Sequence, residues 1–147
     1  QTCALPILLM YRIAICDDEK STCAEIESYI LMYSKLRFIR NEIEVFYSGE
    51  AFCEYVKQGN FFDLLFLDIE LPAINGIEVG KFVRTSLGDE KMDIIYISSK
   101  INYAMQLFQN RPMDFLVKPV KYSAVEMNMD IFVKKKRELK VYILSVW

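Results

Sequence analysis

A chain of 147 residues fits one domain of ordinary size and leaves little room for a second. With 53% hydrophobic and 26% charged residues it can bury a core, which excludes disorder as its main state, and a net charge of −2 lacks the basic footprint of a nucleic-acid-binding domain. Histidine is absent, so serine and cysteine triads, the common zinc sites and histidine general bases all lose their usual partner.

The opening nine residues, QTCALPILL, have an apolar centre but no basic region before it, unlike a secretory signal. They resemble the translation of a sequencing-adapter remnant. Residues 1–9 are therefore expected to be a non-native or disordered extension, the alternative being that residues 5–9 lengthen the first strand. The longest uncharged apolar run, residues 3–11, carries Pro6 and falls short of the roughly 20 residues that cross a bilayer.

Residues 11–16 form a short apolar strand ending in Asp17, Asp18 and Glu19. Thr22 and Glu25 make a capping box for a first helix, with Cys23, Ile26, Ile30 and Tyr33 on one face. Residues 42–47 read as a second strand. Ser48 then starts a helix with Phe52, Tyr55 and Val56 inward, stopped near Gly59. Residues 62–67 are almost wholly apolar and end in Asp68, as suits a central parallel strand buried on both faces. A turn over 72–76 leads to a helix carrying Val79, Phe82 and Val83. Residues 93–97 are the fourth strand, closed by Ser98 and Ser99, and a shorter helix over 103–109 turns Ala104, Leu107 and Phe108 inward. Residues 114–117 are the fifth strand, closed by Lys118 and Pro119. The last helix starts near Ser123, with Val125, Met129, Phe132 and Leu139 as its stripe. The basic run 134–137 reads as a solvated helix end or a contact for a linker or kinase. The apolar residues 141–147 either precede a lost domain or pack back on the body.

This order is a (βα)5 chain, which closes as one α/β doubly wound, flavodoxin-like domain with a parallel five-stranded sheet. Ligands of such sheets sit beyond the carboxyl ends of the strands, where Asp17, Asp18, Asp68, Ser98 and Lys118 fall. Converging carboxylates repel one another and call for a cation; hard, anionic oxygen ligands suit Mg2+. With phosphate present, Lys118 and the ion would hold its oxygens, Ser98 would donate a hydrogen bond and Asp68 would be the nucleophile. Cys16, Cys23 and Cys53 sit among apolar neighbours without CxxC spacing, as buried reduced thiols, which points to a cytoplasmic setting.

The segments IAICDDE, FDLLFLDIELPAINGIEV, IIYISS and MDFLVKPV, in this order and spacing, resemble the receiver (CheY-like) domain of bacterial two-component response regulators, with wording closest to the LytTR class of transcriptional regulators. The resemblance spans residues 10–137 and implies sheet order 2-1-3-4-5. It implies that Asp68 is the phosphoacceptor for a sensor histidine kinase. Asp18 and Asp68 would bind Mg2+, Asp17 would hold a coordinating water, and the backbone carbonyl of Glu70 would complete the protein ligands. Ser98 and Phe115 would be the switch pair, Lys118 the cation on the phosphate, and Lys118-Pro119 a cis bond. It further implies a cytoplasmic phosphoprotein that is no separate enzyme beyond Mg2+-dependent autophosphorylation and autodephosphorylation. Its output face would be the fourth helix, fifth strand and fifth helix (residues 102–109 and 121–132), with a homodimer as one outcome of phosphorylation. Residues 138–147 would be a truncated linker or non-native tail, with DNA reached only through an absent C-terminal output domain. Three readings compete: a dehalogenase-type phosphatase from the Asp68-Ile69-Glu70 triplet, a flavodoxin-like electron carrier, and a receiver-like binding module that is never phosphorylated.

Overall fold

The computed structural model describes residues 10–146; the readings made for residues 1–9 lie outside them. Five strands, β1 (Met10–Cys16), β2 (Arg40–Phe46), β3 (Leu64–Asp68), β4 (Asp93–Ser98) and β5 (Asp114–Val117), form one parallel sheet in the order β2-β1-β3-β4-β5. Between them run α1 (Lys20–Arg37), α2 (Gly49–Lys57), α3 (Gly76–Lys81) and a 3-10 helix (Ile101–Asn110), and α4 (Tyr122–Ser145) follows β5. This is the expected doubly wound (βα)5 domain.

The central strands are apolar at nearly every position because alternate side chains enter different cores. Tyr11, Ile13, Ile15, Leu64, Phe66, Ile95 and Ile97 pack against Cys23, Ile26, Ile30 and Tyr33 of α1 and Val125, Met129 and Phe132 of α4. Ala14, Cys16, Leu65, Leu67, Ile94 and Tyr96 face the opposite way, onto Phe52, Val56, Val79 and Val83. Cys16, Cys23 and Cys53 are buried free thiols. Among the described residues no helix is long and apolar enough to cross a membrane.

Register brings the strand ends to one level. Cys16 pairs with Leu67, Asp68 with Ile97, and Ser98 with Val117, so Asp17, Asp68, Ser98 and Lys118 emerge within about a residue of one another along one edge of the sheet. Gly76 permits the turn after β3 to close beneath it. Its N–H donates to the Ile69 carbonyl at 2.9 Å, and a Cβ there would stand 2.2 Å from the Asp68 carbonyl oxygen.

Several local expectations change. The Thr22–Glu25 capping box does not form: α1 begins at Lys20, after Glu19, and Thr22 Oγ1 instead donates to Glu19 Oε1 at 3.2 Å. Ser48 does cap α2, accepting from the Ala51 N–H, and Asn75 and Glu78 form the capping box of α3. The chain after α3 widens into a π-helical turn, Phe82–Ser86. The segment before β5 is a 3-10 helix, so the 3.6-residue face does not apply. Leu107 and Asn110, three apart, are buried, while Ala104 and Phe108 point outward. In α4, Leu139 is exposed and does not join the buried stripe of Val125, Met129 and Phe132, and the helix continues without a break to Ser145.

Candidate phosphoryl-transfer and metal site

Asp17 and Asp68 are buried at the strand ends, and Asp18 stands exposed beside them. One carboxylate oxygen from each of the three lies within 4.8 Å of the others. The Asp17 Oδ1 accepts from the Glu19 N–H at 2.8 Å, and Asp68 Oδ1 from the Glu70 N–H at 3.2 Å. Lys118, carried by the turn after β5, reaches into this group. Its Nζ stands 3.1 Å from Asp17 Oδ2, 3.6 Å from Asp68 Oδ1 and 2.8 Å from Glu19 Oε1. The Lys118-Pro119 peptide bond is cis.

One ammonium does not offset the buried carboxylates. Burial first, and then the neighbouring Asp17 charge, push Asp68 up to about 6 despite Lys118 and the Glu70 N–H. Asp17 is also raised, chiefly by burial, against the Glu19 N–H and Lys118. Burial opposes the charged form of Lys118, but its hydrogen bond to Glu19, its ion pair with Asp17 and the Asp68 charge outweigh that and hold its pKa above the ordinary range. Glu19, solvent-exposed, is lowered by its bond to Lys118.

The donor set fits a hard divalent cation. Asp17 Oδ2 is buried without a hydrogen bond, its contact with Lys118 being an ion pair only, and three carboxylates supply anionic oxygens to one point. Asp17, Asp18 and Asp68 are therefore brought together as the sequence implies.

Ser98 is buried, but its hydroxyl is turned to Glu70, donating to Oε1 at 3.1 Å. Phe115 is half-buried and packs on the α2–α3 side of the sheet. Sequence reasoning missed two side chains. Glu19 holds Lys118, and the Glu70 carboxylate, considered only for its backbone carbonyl, binds Ser98, Ser99 and Lys100. The usable signals were an acid two residues beyond Asp68 and a base two beyond Ser98.

The profile of the response regulator receiver domain family matches residues 13–130. The chain belongs to this family. The receiver is 35% identical over 89 residues to the sensory transduction protein LytT of Oceanobacillus iheyensis, covering 57% of this chain and 36% of that protein. It is 26% identical over 132 residues to the transcriptional regulatory protein NatR of Bacillus subtilis, covering 88% and 52%. The chain thus spans about half or less of the curated relatives it matches. Among solved structures, the response regulatory domain of mrkE from Klebsiella pneumoniae superposes with a TM-score of 0.75 at 22% identity, over 86% of this receiver and 98% of that chain, a likeness of fold.

Proposed function

We propose that this receiver takes a phosphoryl group on Asp68 from a sensor histidine kinase and serves as the regulatory part of a LytTR-type transcriptional regulator. The observation that carries the reading is the convergence of Asp17, Asp18 and Asp68 with Lys118 at one strand edge. Relatives named as a sensory transduction protein and a transcriptional regulatory protein support the regulatory context.

Asp17, Asp18 and Asp68, with the backbone carbonyl of Glu70, would hold Mg2+. When bound, the ion supplies positive charge to the carboxylates and to the oxygens of the incoming phosphoryl group. The chain's own residues do the rest. An Asp68 carboxylate oxygen attacks phosphorus in line and forms the P–O bond as the P–N bond to the kinase histidine breaks. The imidazole leaves with the electron pair and takes a proton from solvent. Lys118 orients the phosphoryl oxygens, and Ser98 donates to one of them once its hydroxyl leaves Glu70. The added dianionic charge then biases the loop after β4 and the Phe115 rotamer.

The surface that would read this change is the 3-10 helix, β5 and α4, where Ile101, Met105, Phe108, Val117, Met127 and Ile131 are exposed apolar side chains. Solvent-facing apolar groups on three adjoining elements suit a contact with an output domain or a second receiver. The chain would work in the cytoplasm and turn over nothing beyond its own acyl phosphate. With Mg2+ and acetyl phosphate, the wild type is expected to gain one phosphoryl group by intact mass and Asp68→Asn none. Labelling of the Asn variant, or none of the wild type, overturns the assignment.

A further inference from the structure

The Glu70 carboxylate makes more contacts than a surface acid needs. Its Oε1 accepts from the Ser98 hydroxyl at 3.1 Å, the Ser99 hydroxyl at 2.8 Å and the Ser99 N–H at 3.2 Å. Its Oε2 lies 3.6 Å from Lys100 Nζ, and the Lys100 N–H donates back to Ser98 Oγ at 2.9 Å. The last residue of β4 and the two that follow it are thus tied to one acid on the turn after β3. That acid lines the same cleft as Asp18, Asp68, Ser99 and Lys118.

A converging hydroxyl, backbone N–H and ammonium form a receptor for an anionic oxygen, and a carboxylate and a phosphoryl group are both anionic acceptors. The two anions also repel in a partly buried cleft. We infer that the Glu70 carboxylate is a built-in competitor of the phosphoryl group: it occupies the donors of Ser98 and Ser99, and with Lys100 it latches the turn after β4 in the unphosphorylated arrangement until it is displaced. The inference rests on Asp68 being the phosphoacceptor. Glu70 is here a positioning residue, acting through Ser98, Ser99 and Lys100.

The test uses the full chain and beryllofluoride, a phosphoryl mimic, titrated by fluorine NMR at saturating Mg2+. Releasing the donors is expected to tighten beryllofluoride binding by about tenfold in Glu70→Ala, the order of one charge-assisted hydrogen bond. Lys100→Ala separates a latch from bulk electrostatics. Loss of a cation alone weakens anion binding, whereas loss of the latch's ion pair strengthens it, by about twofold. Amide exchange at Ser99 in the unliganded Glu70→Ala protein should also quicken. Unchanged or weaker binding in Lys100→Ala overturns the latch even should Glu70→Ala fail to fold, provided that the wild type binds the mimic and Asp68→Asn does not. A wild type that binds no beryllofluoride and takes no label from acetyl phosphate overturns the phosphoacceptor reading instead.

Discussion

Asp68 is held at a cost that shows in its proton affinity. Its pKa rises from 3.8 to about 6 on folding, so the folded protein binds that proton more tightly than the unfolded chain does. The stability associated with the protonated group is therefore complete below about pH 4 and is lost as pH rises through about 6. Without metal, Asp68→Asn is expected to stabilise the protein by about 1–3 kcal/mol at pH 7.5 and by much less at pH 4, as thermal melts at the two pH values would show. A variant that is less stable at pH 7.5 would refute the burial argument. Gly76 is constrained in the opposite manner, by space. A Cβ there would meet backbone atoms at 2.2, 2.7 and 2.9 Å, none of which can swing aside. Gly76→Ala should cost about 3 kcal/mol or more in urea unfolding, because the end of β3 must shift with it.

The 3-10 helix is thinly embedded, with Leu107 and Asn110 as its buried residues, and it is held mainly at its ends. The Glu70 contacts hold the turn that leads into it. At the far end, buried Arg84 from the π-helical turn donates through Nε to the Asn110 carbonyl at 2.9 Å, through Nη1 to that of Asp89 at 2.9 Å and through Nη2 to that of Arg111 at 3.4 Å. Asn110 Nδ2 in turn donates to Tyr96 Oη at 3.0 Å and to the Ile77 carbonyl at 3.2 Å. An element fixed at two ends and loosely packed between them can shift at one end while the other stays in place. Arg84→Met would leave those carbonyls without their shared donor, at about 2–4 kcal/mol. Amide exchange should rise across residues 101–111 well before it rises in β3; a uniform increase would show that the anchor is not local.

At the scale of the molecule, the sheet separates two cores and raises an acidic edge between them. Helices on both faces keep water from the strands but leave the carboxyl edge open, so the uncompensated charge collects where a solute can reach it. Any ion that neutralises the edge stabilises the whole cooperative unit by mass action, by about 2.7 kcal/mol at a hundredfold excess over its dissociation constant. Millimolar Mg2+ is expected to raise the melting temperature of the wild type, and Asp18→Asn should remove most of that rise while leaving the metal-free melt little changed, since Asp18 is exposed. An equal Mg2+ effect in both proteins would place the ion elsewhere.

The alternation of apolar strands with amphipathic helices was enough to read the doubly wound sheet, the inward face of α1 and that of α4 as far as Phe132. Burial at a period of two or 3.6 is a local property that the order of residues carries by itself. Asp17, Asp18, Asp68, Ser98 and Lys118 were legible for the same reason, as polar residues ending apolar runs. What lay beyond the sequence depends on which distant groups meet. Glu19 could act as a helix-capping partner or an ion-pair partner, and the reach of Lys118, 99 residues away, makes it the latter, with no side-chain cap on α1. The helical face expected around Phe108 failed because the segment winds as a 3-10 helix with three residues per turn, which no apolar period announces. Strand order and register, set by packing across the sheet, decided that separate acids share one site and that the Glu70 side chain rests on Ser98 and Ser99.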